Sequence, residues 1–294
     1  MLQRLPVMVL LLSSIGWGLT WIPIKALQEM GLPAQHLILI AFSAAAIAVM
    51  PWIYTQRKAW LPAIWLMLLL GVCGGFSNVA FQTAMAKGDV VRVTILFYML
   101  PVWSMLGGWW FLKERIDQRR VCALAFCLAG AIAILEAWNI SWHTFTTIDA
   151  LALGSGLGLA ACNILFRFTT TIPLLSKMGF MFIGTVVLIS LSFIIIPLPQ
   201  ITHSPQAIPY AVAYGAGWII LITMGSQWAV TRIEASRSSI IIVMELVVAI
   251  SSVVIITQST LATHETIGGV MVFIAALLEG LRNEDAAKKV LTQD

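Results

Sequence analysis

The sequence is poor in charge. Only 10% of its 294 residues are Asp, Glu, Lys or Arg, against 60% that are hydrophobic, and the mean hydropathy is +0.94. A water-soluble domain carries about 25% charged residues, because it needs a polar shell. Too few charges are present to cover a globule facing water, so the surface must face lipid. Cysteine is scarce and unpatterned. Cys73, Cys122, Cys127 and Cys162 lie inside apolar stretches with no Cys-x-x-Cys pair, which reads as buried reduced thiols rather than disulfides or metal ligands. No Gly-x-x-x-x-Gly-Lys-Ser/Thr loop occurs and the connections are short, so no nucleotide is housed. An ATP-driven pump would need its ATPase from a partner. No His-x-x-x-His pair and no clustered carboxylates suggest a metal. His36, His143, His203 and His264 scatter to the outer ends of predicted spans and read as interfacial. The net charge of +4 comes with no basic groove interleaved with aromatics, which excludes nucleic acid. No enzyme, cofactor or metal chemistry is expected.

What the chain does have is long apolar runs. A helix needs about 20 mostly apolar residues to cross the hydrocarbon core. Such segments cover 6–25, 35–54, 61–85, 91–112, 119–137, 148–168, 178–197, 208–230, 237–257 and 265–282. Gly31-Leu32-Pro33, Gln56-Arg57-Lys58, Lys87-Gly88-Asp89, Lys113-Glu114-Arg115 and Pro197-Leu198-Pro199 separate them. Arg4 before the first run mimics a signal peptide, but the run is long and Lys25 ends it without a small-residue cleavage site. It reads as a retained first helix. With the N-terminus inside, only Lys25, Lys87 and Arg92 fall outside. The other cations, from Arg4, Arg57 and Lys58 to Arg282, Lys288 and Lys289, fall inside. That bias places both termini in the cytoplasm, with the cell (inner) membrane as the expected location.

The chain repeats itself. At an offset of 145, Gln82 meets Gln227, Lys87 meets Arg232, Asp89 meets Glu234, Arg92 meets Arg237, Ile95 meets Ile240, Met99 meets Met244 and Val102 meets Val247. At a nearby offset Gly16 meets Gly158 and Lys25 meets Arg167. Five spans per half is an odd number, so the second half enters from the opposite face. The expected fold is all-α: ten transmembrane helices as two inverted five-helix repeats, 1–140 and 147–284, with a cytoplasmic tail at 285–294. Inverted repeats are a route to alternating access around a site near the midplane. Duplication kept for packing alone is the alternative.

The stretch from Trp60 to Trp138 resembles an EamA-type domain of the drug/metabolite transporter superfamily. The resemblance rests on Ala84-Met85-Ala86-Lys87-Gly88-Asp89-Val90-Val91-Arg92, Leu100-Pro101, Leu112-Lys113-Glu114-Arg115 and Gly130. Gly16-Trp17-Gly18 and Lys25 are similar to the domain's first helix, and Asp149 to Arg282 to a second copy. The resemblance implies a permease, and export rather than uptake. The sequence also departs from the pattern. Leu246 stands opposite Pro101, so the ninth helix is expected to lose the kink a proline gives. Ser259 stands opposite Glu114, and residues 37–50 lack the arginine often seen there.

Transport needs polar groups where lipid cannot solvate them. Glu245, near the centre of the ninth span, is the clearest, since an ionised carboxylate there costs roughly 2.5 kcal/mol or more. It suits proton coupling or the anchoring of a substrate amine; a hydrogen-bonded packing residue is the alternative. Asn78 and Gln82 share a helix face, Gln227 repeats Gln82, and Asn163 adds an amide in the sixth span. Trp17, Trp21, Trp103 and Trp218, with Tyr98, Tyr210 and Tyr214, lie deep enough to wall an aromatic pocket. Trp52, Trp60, Trp138 and Trp142 lie near span ends as interface anchors. The substrate site is therefore sought among Trp17, Trp21, Asn78, Gln82, Tyr98, Trp103, Asn163, Tyr214, Trp218, Gln227 and Glu245. Interhelical glue is the competing role for the amides. Lys113, Glu114 and Arg115 read mainly as topology determinants, with a gate as the second reading.

The sequence thus points to a secondary transporter exporting small polar or amphipathic metabolites, amino acids foremost. Its partners are a small-molecule solute, the lipid bilayer and, through Glu245, protons. Facilitated diffusion is the rival to proton coupling, and the working form is a monomer or a homodimer. A lipid-modifying membrane enzyme and a non-transporting scaffold are the readings from other classes.

Overall fold

The computed structural model describes residues 5–140, 144–195, 206–258 and 260–281. Arg4, Trp142, His143, Pro197-Leu198-Pro199, His203, Ser259, Arg282, Lys288, Lys289 and the 285–294 tail lie outside the described residues. Among the described residues the chain is helical, without strands. Helices α1 (Leu5–Glu29), α2 (Ala34–Thr55), α3 (Arg57–Lys87) and α4 (Val90–Leu112) are long and apolar enough to cross a bilayer. After α5 (Gln118–Ile134) come α6 (Thr147–Phe168), α7 (Leu174–Ile194), α8 (Ala207–Val230) and α9 (Ala235–Thr257), which also qualify, and α10 (Thr263–Gly280). That makes eight qualifying helices among the described residues; α5 and α10 are shorter or carry polar ends.

The helix ends follow local chemistry. Asp89 and Asp117 accept from the Arg92 and Arg120 backbone N–H groups, and Thr146 with Asp149 forms a reciprocal cap at the start of α6. Lys113 and Gln258 end α4 and α9 in the left-handed region, with φ of 58° and 54°. Helices of the two halves interleave: α3 packs on α6 and α7, α8 on α1 and α2, and α5 on α10. Several crossings bring backbones into contact. A Cβ on Gly130 would lie 2.7 Å from the Gly268 carbonyl, and one on Gly75 would lie 2.5 Å from Gly184. Only a residue without a side chain allows this approach.

Several expectations need correction. The ninth helix keeps a break although it has no proline: α9 is interrupted at Val243, where the Leu246 N–H turns back to the Val243 carbonyl at 3.0 Å. His36 is buried, not interfacial, because it stacks on Phe193 of α7 in the first turn of α2. Cys122 faces outward and Cys73 is only half-buried, since an apolar stretch in a bilayer protein exposes one flank to lipid. Lys177 stands in the first turn of α7. It is buried there, and its Nζ donates to the Phe166 and Thr169 carbonyls at 2.8 and 3.1 Å, closing the C-terminus of α6. Trp60 donates its indole N–H to the Ile53 carbonyl and packs on Phe180, while Trp52 and Trp138 are exposed as anchors should be.

Candidate functional site

Three interrupted helices meet at one carboxylate. Helix α1 breaks at Leu19 and Thr20, four and three residues before Pro23, whose ring cannot supply the N–H that the Leu19 carbonyl would take. The Thr20 hydroxyl turns back to the Trp17 carbonyl at 2.6 Å. Helix α4 breaks at Tyr98 and Met99, ahead of Pro101, which leaves the Phe97 carbonyl without its helical donor. That carbonyl lies against Gly156 of α6, where a Cβ would sit 2.5 Å away. Helix α9 breaks at Val243, two residues before Glu245. No proline accompanies this break; Gly18 of α1 packs just after it, where a Cβ would stand 2.6 Å from the Glu245 carbonyl and 2.8 Å from Val248. At this junction the buried Tyr98 donates its hydroxyl to Glu245 Oε1 at 2.9 Å. One oxygen of the carboxyl group thus has a fixed partner, and the residue as a whole is half-buried.

A groove lies further along α9. Glu245, Ala249 and Val253 share one face, being four residues apart. The groove, about 360 Å³, is lined by Trp21, Ala249, Ile250, Val253, Val254, Thr260 and Glu265. Trp21 stands on the second piece of α1 and donates its indole N–H to the Ser252 hydroxyl at 2.9 Å, so its ring position is set by α9 itself. Glu265 accepts from the Ala262 N–H at 2.8 Å at the start of α10.

The other sequence-selected residues divide into separate groups. Trp17, Tyr214 and Trp218 pack on one apolar cluster with Phe42, Phe166 and Phe182. Tyr214 and Trp218 belong to a π-helical stretch, Tyr214–Ile219, that widens α8. Asn163 and Gln227 meet, amide to amide, at 3.1 Å between α6 and α8. Asn78 instead donates to the Thr185 hydroxyl of α7 at 2.9 Å, so it ties helices together. Gln82 is half-buried one turn from Asn78, and Trp103 is half-buried on α4 with its Nε1 enclosed and without a partner among the described residues. Tyr210 is exposed.

Sequence reasoning took Lys113, Glu114 and Arg115 mainly as topology determinants, with a gate second, and did not foresee the partners that Glu114 has at the far end of α9. Glu114 is buried, and its Oε1 accepts from the Ala235 N–H at 2.8 Å and pairs with Arg167 Nε at 3.2 Å. Arg120 is fully enclosed, pairs with Glu234 and donates to the Arg115 carbonyl at 2.6 Å. At the opposite end of the bundle Arg92 pairs with Asp149 at 2.6 Å, joining the starts of α4 and α6.

This architecture, a polytopic helical bundle with broken helices around a carboxylate, can be set beside known proteins. Residues 4–136 match the model of the EamA-like transporter family. Comparison with curated proteins finds no match. Among solved structures 29 chains match. One, described as a crystal structure of protein, superposes with a TM-score of 0.75 at 15% identity, over 94% of this chain and 98% of its own. At that identity the likeness establishes the fold across both halves and says nothing of a solute. Residues 4–136 thus carry a domain that matches the EamA-like transporter family, of the drug/metabolite transporter superfamily, within an integral multi-pass membrane protein.

Proposed function

We propose that the protein is a secondary transporter that exports small polar or amphipathic metabolites, amino acids foremost, by alternating access between two inverted five-helix repeats. The observation that carries this reading is the Tyr98–Glu245 hydrogen bond at the breaks of α4 and α9. Tyr98 and Val243 are 145 residues apart, the offset of the internal repeat. The helix packing adds support, because it maps onto itself when the halves are exchanged. The α3–α6 contact corresponds to α8–α1, α3–α7 to α8–α2, and α4–α6 to α9–α1, while α2–α7, α4–α9 and α5–α10 correspond to themselves. In this reading α5 and α10 complete ten spans, and the Glu114 end faces the cytoplasm because Arg57, Lys58, Lys113, Arg115, Arg119 and Arg167 gather there.

The chemistry follows from a carboxylate at the midplane. Glu245 must carry a proton or face a cation, since an unpaired charge there is costly. A proton and the ammonium group of a solute compete for the same oxygens, so occupancy by one expels the other. That competition gives export driven by protons entering along the groove past Trp21. Tyr98 holds one oxygen in place, and the aromatic residues of α1, α4 and α8 suit an apolar side chain.

The test is flux in proteoliposomes with an amino-acid panel at two pH values. Glu245→Gln keeps the shape but neither binds nor releases a proton. It is expected to lower flux by about tenfold or more, or to erase its pH dependence, with expression intact. Unchanged flux at both pH values removes Glu245 from the mechanism. A scaffold would also tolerate Glu245→Leu.

A further inference from the structure

Glu114 follows Lys113 and precedes Arg115, a pattern that reads as a solvated loop at a helix end. Its side chain is only 5% exposed. The left-handed turn at Lys113 folds it back beneath α4, with the Glu114 N–H donating to the Gly108 carbonyl at 3.0 Å. From there its carboxylate reaches α9. Ala235 is the first residue of that helix, and its N–H has no partner within the helix. Glu114 supplies the partner at 2.8 Å, with the Ser236 hydroxyl 3.5 Å from its other oxygen. Negative charge is favoured at a helix start, so α4 caps α9 across the bundle. Arg167 at the end of α6 holds the same carboxylate, and Glu234 reaches the enclosed Arg120 of α5.

Above this seal the bundle is closed yet polar. Ser104, Asn163, Thr223, Gln227, Ser238 and Ser239 are all buried. Ser104 Oγ, Thr223 Oγ1 and Gln227 Oε1 have no partner among the described residues. A plug built for packing alone gains nothing from such groups, because each buried polar atom without a partner is costly. They are accounted for if the strip meets water or solute in another state. The break at Val243 supplies the joint between the sealed piece of α9, Ala235–Ile242, and the piece carrying Glu245.

We infer that Glu114 is a latch: its cap on α9 keeps the cytoplasmic half of the path shut, and its release lets the first piece of α9 swing about Val243 and open the strip. Arg167 is a positioning residue that holds the latch in reach. The inference rests on the alternating-access reading for its role in transport, and on the contacts alone for the opening.

Hydrogen–deuterium exchange of the protein in lipid nanodiscs tests it, reading peptides over 235–242, 244–257 and 263–280. Glu114→Gln keeps the shape and drops the charge. Exchange over 235–242 is expected to rise by roughly tenfold, the effect of weakening one charge-assisted hydrogen bond, with the other two segments unchanged. Arg167→Gln is expected to raise the same segment less, and Glu114→Asp to restore part of the protection. A rise spread evenly over all three segments, or none over 235–242, overturns the latch. If Glu114→Gln is not recovered folded, Arg167→Gln decides by the same pattern. Flux of the wild-type protein is measured in parallel. Selective exchange without flux of any panel solute leaves the latch standing and removes the transport reading; flux with unaltered exchange removes the latch alone.

Discussion

The two ends of α9 are held in opposite ways. Its first turn lies under the Glu114 carboxylate, beside Arg167, with the neighbouring Glu234 paired to Arg120. Its later turns border a groove of about 360 Å³, where the Trp21 indole donates to Ser252. Between them the backbone is interrupted at Val243. One helix therefore carries a piece held by charged groups and a piece that borders a groove, with the Glu245 carboxyl group just beyond the joint. A continuous rod would transmit a disturbance at either end to the other, whereas an interrupted one lets the ends respond separately.

Substitutions can break or sharpen that contrast. The largest effect belongs to the tied end. Arg120→Ala removes a fully enclosed guanidinium and strands its partners, and about 3 kcal/mol of stability is expected to be lost, read as a lowered midpoint of denaturant unfolding in detergent. Next comes the middle. Tyr98→Phe removes the hydroxyl on Glu245 without changing the ring, and flux is expected to fall several-fold, about 1–2 kcal/mol in transition-state terms, with the unfolding midpoint little moved. At the grooved end Ser252→Ala loses the Trp21 bond, worth about 0.5–1.5 kcal/mol. Its expected signature is a red-shifted tryptophan emission and a weaker apparent affinity from that side. Smallest is Glu265→Ala, which loses a cap at the start of α10 and is expected to cost about 1 kcal/mol or less. Should Ser252→Ala destabilise the protein as much as Arg120→Ala, the contrast between the ends disappears.

Much of the fold was legible because lipid enforces it. The apolar runs end where Pro, Gly or charge intervenes, and the helix limits fall within a few residues of those signals, Lys87-Gly88-Asp89 included. Glu245 stood out because a lone carboxylate within an apolar run has few explanations. Its partner did not, since Tyr98 is one aromatic among many and the two are 147 residues apart. The break in α4 is written in Pro101. The break in α9 has no such letter, since no proline stands near it and the close approach of Gly18 beside it comes from another helix. Glu114 misled by its neighbours: two flanking cations make it look solvated, and only the left-handed turn at Lys113 buries it. Lys177 misled likewise, since a cation satisfied by carbonyls rather than by a carboxylate leaves no complementary residue to notice.

The crossing of Gly130 and Gly268 carries a consequence of its own. Each glycine sits against the other's carbonyl, with Val272 and Ile134 closing the crossing on either side, so α5 and α10 touch backbone to backbone. Such a joint leaves little room to slide. Any rocking of the bundle would carry these two helices together.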